Sequence, residues 1–146
     1  MQDYLSIGQV QGAAEGQAIG HVVARELNDD LATLAASSSI HPVLVDLTAP
    51  EGPSEVVDAA ISAFGGLDIL VNNVGAVRPR TEGFLSVTDD DWTWALTVNF
   101  LAAVRMTRAA VPHLRERGGG TIVATSSVNA FLPDPSVIDY SAAKRP

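Results

Sequence analysis

Residues 127–144 of the chain read SVNAFLPDPSVIDYSAAK, shortly after the apolar run TIVA at 121–124. Tyr140 and Lys144 stand four residues apart at the start of a predicted helix, so their side chains lie on one helix face. A cation beside a phenol favours the phenolate, and the Ser127 hydroxyl can hydrogen-bond a carbonyl oxygen. These groups suit proton transfer to or from a carbonyl or alcohol oxygen. A Tyr-x-x-x-Lys pair also occurs on ordinary surface helices, so its interpretation depends on the rest of the sequence.

The composition is that of one globular domain rather than a disordered chain. The 146 residues are 47% apolar, and we treat residues 1–146 as a single partial domain. The net charge of −8 and the lack of a Lys/Arg cluster argue against nucleic acid or a membrane surface as a partner. There are no cysteines, so no thiolate metal site or disulfide is available, and we predict no metal. Without a signal peptide or long apolar span, we expect a cytoplasmic protein.

The amino-terminal part predicts a strand at 4–11 and a helix at 17–29 with a small-residue turn between them. Such a turn lets the backbone approach a pyrophosphate, and the helix N-terminus offers free N–H groups to it. Gly12, Gly16 and Ala18 fit this motif. Alternatively, the motif ends at the segment 18–20, and the sequence does not choose between the two registers.

The middle of the chain alternates strands and helices. We predict a strand at 42–47, a helix at 53–64 and a buried strand at 67–72. The last of these runs into Asn72-Asn73-Val74-Gly75, which suits either a turn against a ligand or an ordinary strand-to-loop turn. Open α/β sheets bind ligands at the carboxyl ends of their strands.

A long helix is predicted at 88–117, followed by a strand at 120–126. Thr88 and Asp91 suit a capping box, so we interpret the three aspartates at 89–91 as a helix start, not a metal site. Asn99 falls on the apolar stripe, which consists of Trp92, Leu96, Ala103, Met106 and Ala110. A buried amide needs hydrogen bonds. Asn99 therefore either bridges neighbouring backbone at a helix irregularity or holds a water near the site.

Together these elements predict an α/β fold: a Rossmann-type, doubly wound parallel sheet of about four strands, with a short last helix from about Tyr140. The order of the motifs resembles the short-chain dehydrogenase/reductase family, from about Val43 to Lys144. The resemblance rests on the following residues and on the thirteen-residue step from Ser127 to Tyr140: Asp46, Asn72-Asn73-Val74-Gly75, Asn99, Ser127, Tyr140 and Lys144.

The resemblance implies an NAD(P)-dependent oxidoreductase that transfers hydride between nicotinamide and a small carbonyl or alcohol substrate. Tyr140 would be the acid/base, Lys144 would favour its phenolate and hold the nicotinamide ribose, and Ser127 would orient the substrate oxygen. Asn99 would anchor a water in a proton relay. The implied cofactor contacts are Gly12, Gly16 and Ala18 at the pyrophosphate and Asp46 at the adenine. Along the remaining part of the cofactor they are Asn72, Val74, Gly75, Tyr140 and Lys144. NAD and NADP are not distinguished.

Three departures from the family pattern also shape the prediction. Gln11 replaces a threonine before the glycine turn, and the interval from Val10 to Val43 has room for only one βαβ unit, so an early strand–helix unit is missing. The strand near Val43 must then pair with the first strand or lie beside a gap. The sequence ends two residues after Lys144, so we expect a truncated copy of a longer enzyme. Exposed apolar surface on its carboxyl-terminal side and on the long helix would favour self-association.

Two alternatives remain from the sequence. One is a catalytically inactive remnant, or a nucleotide-binding or interaction module. The other is a sugar-nucleotide epimerase or dehydratase, which shares the Tyr-x-x-x-Lys pair. The resemblance implies a homo-oligomer for an intact relative only.

Overall fold

The computed structural model describes the backbone of residues 4–6, together with residues 43 and 45–145. The helices and strands of these residues follow one another in the order β1 (Tyr4–Ser6), α1 (Gly52–Phe64), β2 (Ile69–Asn72), α2 (Asp89–Leu96), α3 (Ala102–Glu116), β3 (Thr121–Ala124) and α4 (Ile138–Lys144). Short 3₁₀ turns lie between them at Phe84–Ser86, Val128–Ala130 and Pro135–Val137. The predicted helix at 17–29 and the glycine turn fall outside the described residues.

The three described strands form one parallel sheet in the order β1-β2-β3. Tyr4 is aligned with Ile69, and Ile69 with Thr121, so all three strands point the same way. Parallel neighbours require a crossover connection, and α2 and α3 provide it between β2 and β3. The predicted α/β class with a parallel sheet is confirmed.

The predicted strand at 42–47 is wrong for the residues described there, because Val43 and 45–47 lie outside the sheet. The Asp46 carboxylate accepts hydrogen bonds from the backbone N–H of Thr48 at 2.8 Å and from its hydroxyl at 2.7 Å, which turns the chain. Val45 and Leu47 are nevertheless buried in the core. The apolar pattern therefore predicted burial correctly, but burial alone does not make these described residues part of the sheet.

The core lies between the sheet and the helices. Leu70 of β2 is fully buried, and α1 packs against α3 through a shared apolar cluster that includes Val57 and Met106. Helix α1 ends where Gly65 takes a positive φ of 77°, a conformation that side chains with a Cβ rarely adopt.

The predicted helix at 88–117 is present, but a π-helical turn at Thr97–Leu101 divides it into α2 and α3. Met106 and Ala110 are buried as predicted, whereas Leu96 is 40% exposed and its neighbour Ala95 is buried. The prediction assumed a single α-helical period, and the wider π turn changes which positions before it face the core.

Apolar side chains are exposed on β3 and on the long helix, as the sequence predicted. Ile122 and Val123 on β3 are 41% and 44% exposed, and Phe100 on the π turn is 49% exposed. Self-association through these surfaces stays a prediction.

The capping box at the start of α2 is confirmed. The hydroxyl of Thr88 accepts a hydrogen bond from the backbone N–H of Asp91, and the carboxylate of Asp91 accepts one from the backbone N–H of Thr88. The hydrogen bonds from Thr88, first from its backbone and then from its side chain, lower the pKa of Asp91 below its ordinary value of 3.8.

Thr88→Ala is expected to lower the free energy of unfolding by about 1 kcal/mol, because one helix-start N–H loses its partner. A lowered carboxyl pKa stabilises the fold above the unfolded value and stops doing so as the pH falls through the folded value. The Thr88→Ala effect should therefore be smaller at pH 3 than at pH 7. Urea unfolding at both pH values measures this. Thr93→Ala, an exposed change within α2, is the control, and an equal loss for both variants would contradict the cap's contribution.

Candidate active site

Most of the predicted catalytic and cofactor residues within the described part of the chain gather at the carboxyl edge of the sheet. Asn72 ends β2 and residues 73–76 follow it, and Ser127 lies shortly after β3. Helix α4, which carries Tyr140 and Lys144, packs against the π turn and against the 3₁₀ turn after Ser127. The edge of the sheet predicted to bind a ligand therefore brings together residues from three separate parts of the sequence.

Lys144 reaches from α4 to the loop after β2. Its ammonium donates a hydrogen bond to the carbonyl oxygen of Val74 at 3.1 Å. Burial lowers the pKa of Lys144 from its ordinary value of 10.5. A Cβ at Gly75 would lie 3.1 Å from Lys144 Nζ and 3.3 Å from Asn99 Oδ1. Glycine at this position therefore lets the loop pass closely between the lysine and the asparagine.

Tyr140 lies one turn before Lys144 on α4. The centre of its ring is 6.0 Å from Lys144 Nζ, so the two side chains lie side by side as the four-residue spacing predicted. The tyrosine is partly buried. This arrangement places a phenol and a cation together at the sheet edge.

Asn99 lies in the π turn and is buried. Its Nδ2 donates to the carbonyl oxygens of Ala76 at 2.8 Å and Ala95 at 3.0 Å. Its Oδ1 accepts from the backbone N–H of Ala76 at 3.0 Å. These bonds match the interpretation of Asn99 as a bridge to neighbouring backbone at a helix irregularity. The water-holding role stays a prediction.

Two serines follow β3. The hydroxyl of Ser127 accepts a hydrogen bond from the backbone N–H of Asn129 at 3.2 Å and so begins the 3₁₀ turn. Ser126, which the sequence analysis did not single out, donates from its hydroxyl to the carbonyl oxygen of Lys144 at 3.3 Å. Its bond connects the end of β3 to the end of α4.

The other predicted cofactor residues differ in their surroundings. The buried amide of Asn72 donates to the hydroxyl of Thr107 on α3 at 3.1 Å, so it joins the sheet to the helix. Asp46 is exposed and bonded to Thr48, whose carbonyl oxygen accepts from Arg105 at 2.8 Å. Gly12, Gly16 and Ala18 lie outside the described residues.

Sequence reasoning missed an arginine and a buried aspartate next to Tyr140. Arg80 donates to Asp139 Oδ2 from Nε at 3.1 Å and from Nη2 at 2.6 Å. Its Nη1 lies 2.9 Å from Asp91 Oδ1. The hydrogen bond to Asp139 is the main cause that raises the pKa of Arg80. The available signal was an aspartate directly before the tyrosine, but its partner is 59 residues away in the sequence.

The comparisons with known proteins identify the class. A short chain dehydrogenase family profile matches residues 10–145. Dehydrogenase/reductase SDR family member 4 of Homo sapiens is 32% identical over 149 residues, which cover 90% of this chain and 53% of that protein. The chain belongs to the short-chain dehydrogenase/reductase family, and it spans about half the length of the curated relatives it matches.

Solved structures share the fold. L-sorbose reductase from Gluconobacter frateurii, in complex with NADPH and L-sorbose, is 39% identical with a TM-score of 0.65, covering 70% of this chain and 38% of that one. The NADH-dependent reductase A1-R', in complex with NAD, is 25% identical with a TM-score of 0.66, covering 70% and 44%. Both likenesses support a Rossmann-type fold. Within the described residues, no helix is both long and apolar enough to span a membrane.

Asn99→Ala is expected to lower the free energy of unfolding by about 1–3 kcal/mol, because the N–H and C=O of Ala76 lose buried partners. Urea denaturation measures the loss. Asn129→Ala is the control, since only the backbone of Asn129 takes part in a described hydrogen bond. Equal stability of the two variants would show that the amide bridge contributes little.

Proposed function

We propose that this chain binds a nicotinamide cofactor and acts as an oxidoreductase on a carbonyl or alcohol, with Tyr140 as the acid/base. The observation that carries the proposal is the juxtaposition of Tyr140 and Lys144 on α4 with Lys144 fastened to Val74. Family membership supports the reaction class. The substrate class is drawn from relatives that are reductases.

The residues present fit the cofactor in two respects. An ammonium group has three N–H donors, and the hydrogen bond to Val74 uses one of those of Lys144, which leaves donors for ribose hydroxyls. At Gly75 the backbone comes close to both Lys144 and Asn99, as expected where a loop lines a narrow site. Val74 and Gly75 would line the cofactor, Asp46 would approach the adenine, and Asn72 would hold the strand end in place.

In the proposed mechanism the chain's own residues manage the proton. The bound cofactor would supply or accept the hydride at the nicotinamide. In the direction of reduction, the phenol of Tyr140 would give its proton to the substrate oxygen as that oxygen gains negative charge. The hydroxyl of Ser127 would hydrogen-bond the same oxygen and orient it. The Lys144 cation would stabilise the phenolate that remains, and Asn99 would support a water that returns the proton.

The cofactor proposal is tested by isothermal titration of the purified chain with NADH and with NADPH. Saturable binding to one site supports the proposal and names the preferred cofactor. A folded chain that binds neither would contradict it and favour the inactive remnant described above. L-sorbose and 2,3-butanedione are suitable first substrates, because one is a ketose bound by a relative and the other is a small activated ketone.

Tyr140→Phe is expected to reduce turnover by about 10²–10⁴-fold, because the substituted ring has no proton to transfer. Cofactor affinity should change little, as measured by the same titration. Tyr4→Phe, which alters the other tyrosine of the chain, serves as the control and should keep its turnover. Retention of full activity by Tyr140→Phe would exclude this residue as the acid/base.

Lys144→Met is expected to abolish turnover and weaken cofactor binding while leaving the free energy of unfolding within about 1 kcal/mol of the parent. The hydrogen bond to Val74 is lost, but the cost of burying an ammonium disappears as well. Because burial lowers the folded pKa, the charge opposes folding below that pKa, and this penalty fades as the pH rises toward 10.5. Urea unfolding at pH 7 and pH 10 tests the sign. A large loss of stability at pH 7 would indicate a structural role instead.

A further inference from the structure

The first turn of α4 contains a buried carboxylate directly before Tyr140. The side chain of Asp139 is 1% exposed. Its Oδ2 accepts both hydrogen bonds from Arg80, and its Oδ1 accepts a hydrogen bond from the backbone N–H of Tyr140 at 2.9 Å. Burying a carboxylate is costly unless a cation and further hydrogen bonds accompany it, and Asp139 has both.

Arg80 connects four parts of the chain. It lies in the loop after β2, and its guanidinium binds Asp139 on α4 and Asp91 in the first turn of α2. Its backbone N–H donates to the carbonyl oxygen of Ser136 in the segment before α4 at 2.6 Å. The start of α4 is therefore fastened to α2 and to the loop after β2 through one side chain.

Helix α4 is attached to this loop at both ends. Asp139 binds Arg80 near its start, and Lys144 binds Val74 at its end, with Tyr140 between the two attachments. A helix of seven residues is too short to be stable by itself, so tertiary contacts must set its position. These two contacts hold both ends of α4 to one loop, in addition to its packing against the π turn and the 3₁₀ turn after Ser127.

We propose that Arg80 and Asp139 are positioning residues that hold Tyr140 in place at the active site. The effect of this positioning on catalysis rests on the function proposed above. The ordering of α4 does not depend on that function and is measured separately. The ion pair between Arg117 and Asp68 provides a comparison. This pair joins the end of α3 to the residue before β2, at the amino-terminal ends of the strands. Its side chains are more exposed than those of Arg80 and Asp139.

The first experiment measures amide hydrogen exchange of residues 138–144 in the parent chain and in Arg80→Gln, Arg80→Lys and Arg117→Gln. Arg80→Gln is expected to speed exchange in α4 by about tenfold or more while α1 keeps its protection. Arg80→Lys keeps the charge without the fork of donors and should lie between the parent and the glutamine variant. Arg117→Gln should leave α4 unchanged. Parent-like exchange of α4 in Arg80→Gln, or equal loosening by Arg117→Gln, would overturn the proposal.

The second experiment measures turnover with NADPH and 2,3-butanedione beside the affinity for NADPH. Arg80→Gln should lower kcat by about 10–100-fold with NADPH affinity within about twofold, because misplacing the acid/base affects the chemical step. An unchanged kcat in an active protein would overturn the proposal. If the parent binds no cofactor, the function proposed above fails, and the exchange experiment alone decides whether Arg80 positions α4.

A double variant keeps the test valid if Arg80→Gln folds poorly. Arg80→Gln combined with Asp139→Asn leaves no unpaired buried charge, so it should be more stable than Arg80→Gln alone. Its α4 should still exchange faster than in the parent, because the charged fork is gone. Parent-like protection in the double variant would show that the ion pair does not set the position of α4.

Discussion

The site depends on the pair of hydrogen bonds through which the Asn99 side chain holds both backbone groups of Ala76. The loop after β2 has left the sheet, and the Asn99 amide makes the backbone hydrogen bonds that a neighbouring strand makes within a sheet. Asn99 lies within the π turn at Thr97–Leu101, and its amide reaches the loop from there. The loop so held presents the carbonyl oxygen of Val74 to Lys144 and carries Arg80 toward α4. The contacts of α4 with this loop, at Val74 and at Arg80, lie on either side of the residue that Asn99 holds.

Charged groups at the site are buried for different reasons. Asp139 is almost wholly enclosed, and its charge is compensated by Arg80 and by a backbone N–H. Among the described residues, no carboxylate forms an ion pair with Lys144. Its ammonium instead donates to the carbonyl oxygen of Val74. A partly buried cation that lacks a compensating anion is unfavourable for folding and suits the binding of a polar ligand. The pair of Arg80 and Asp139 thus organises the fold, whereas the single charge of Lys144 serves the proposed chemistry.

The sequence predicted the features that depend on local patterns. The capping box at Thr88, the burial of Leu70 and the side-by-side placement of Tyr140 and Lys144 all follow from spacing over a few residues. The strand predicted at 42–47 is wrong for residues 43 and 45–47, which lie outside the described sheet although all but Asp46 are apolar, and Asp46 begins a turn there. A helix irregularity at Asn99 was one of the two predicted alternatives, but its π geometry and the partnership of Arg80 with Asp139 escaped prediction. Neither has a periodic signal, and the second joins positions that only the tertiary fold brings together.

The contacts that hold α4 also bear on how the chain folds. The Thr88 cap closes over three residues, whereas Arg80 and Asp139 are 59 residues apart and Val74 and Lys144 are 70 apart. Closing so long a segment costs chain entropy before any contact compensates for it, and contacts of this kind slow folding. Helix α2 can therefore form early, whereas the contacts that hold α4 belong with the pairing of β1 and β2 to the slower, long-range part of folding. The face of α4 that carries Tyr140 and Lys144 is therefore completed only when distant parts of the chain have come together, and the helix cannot form it locally.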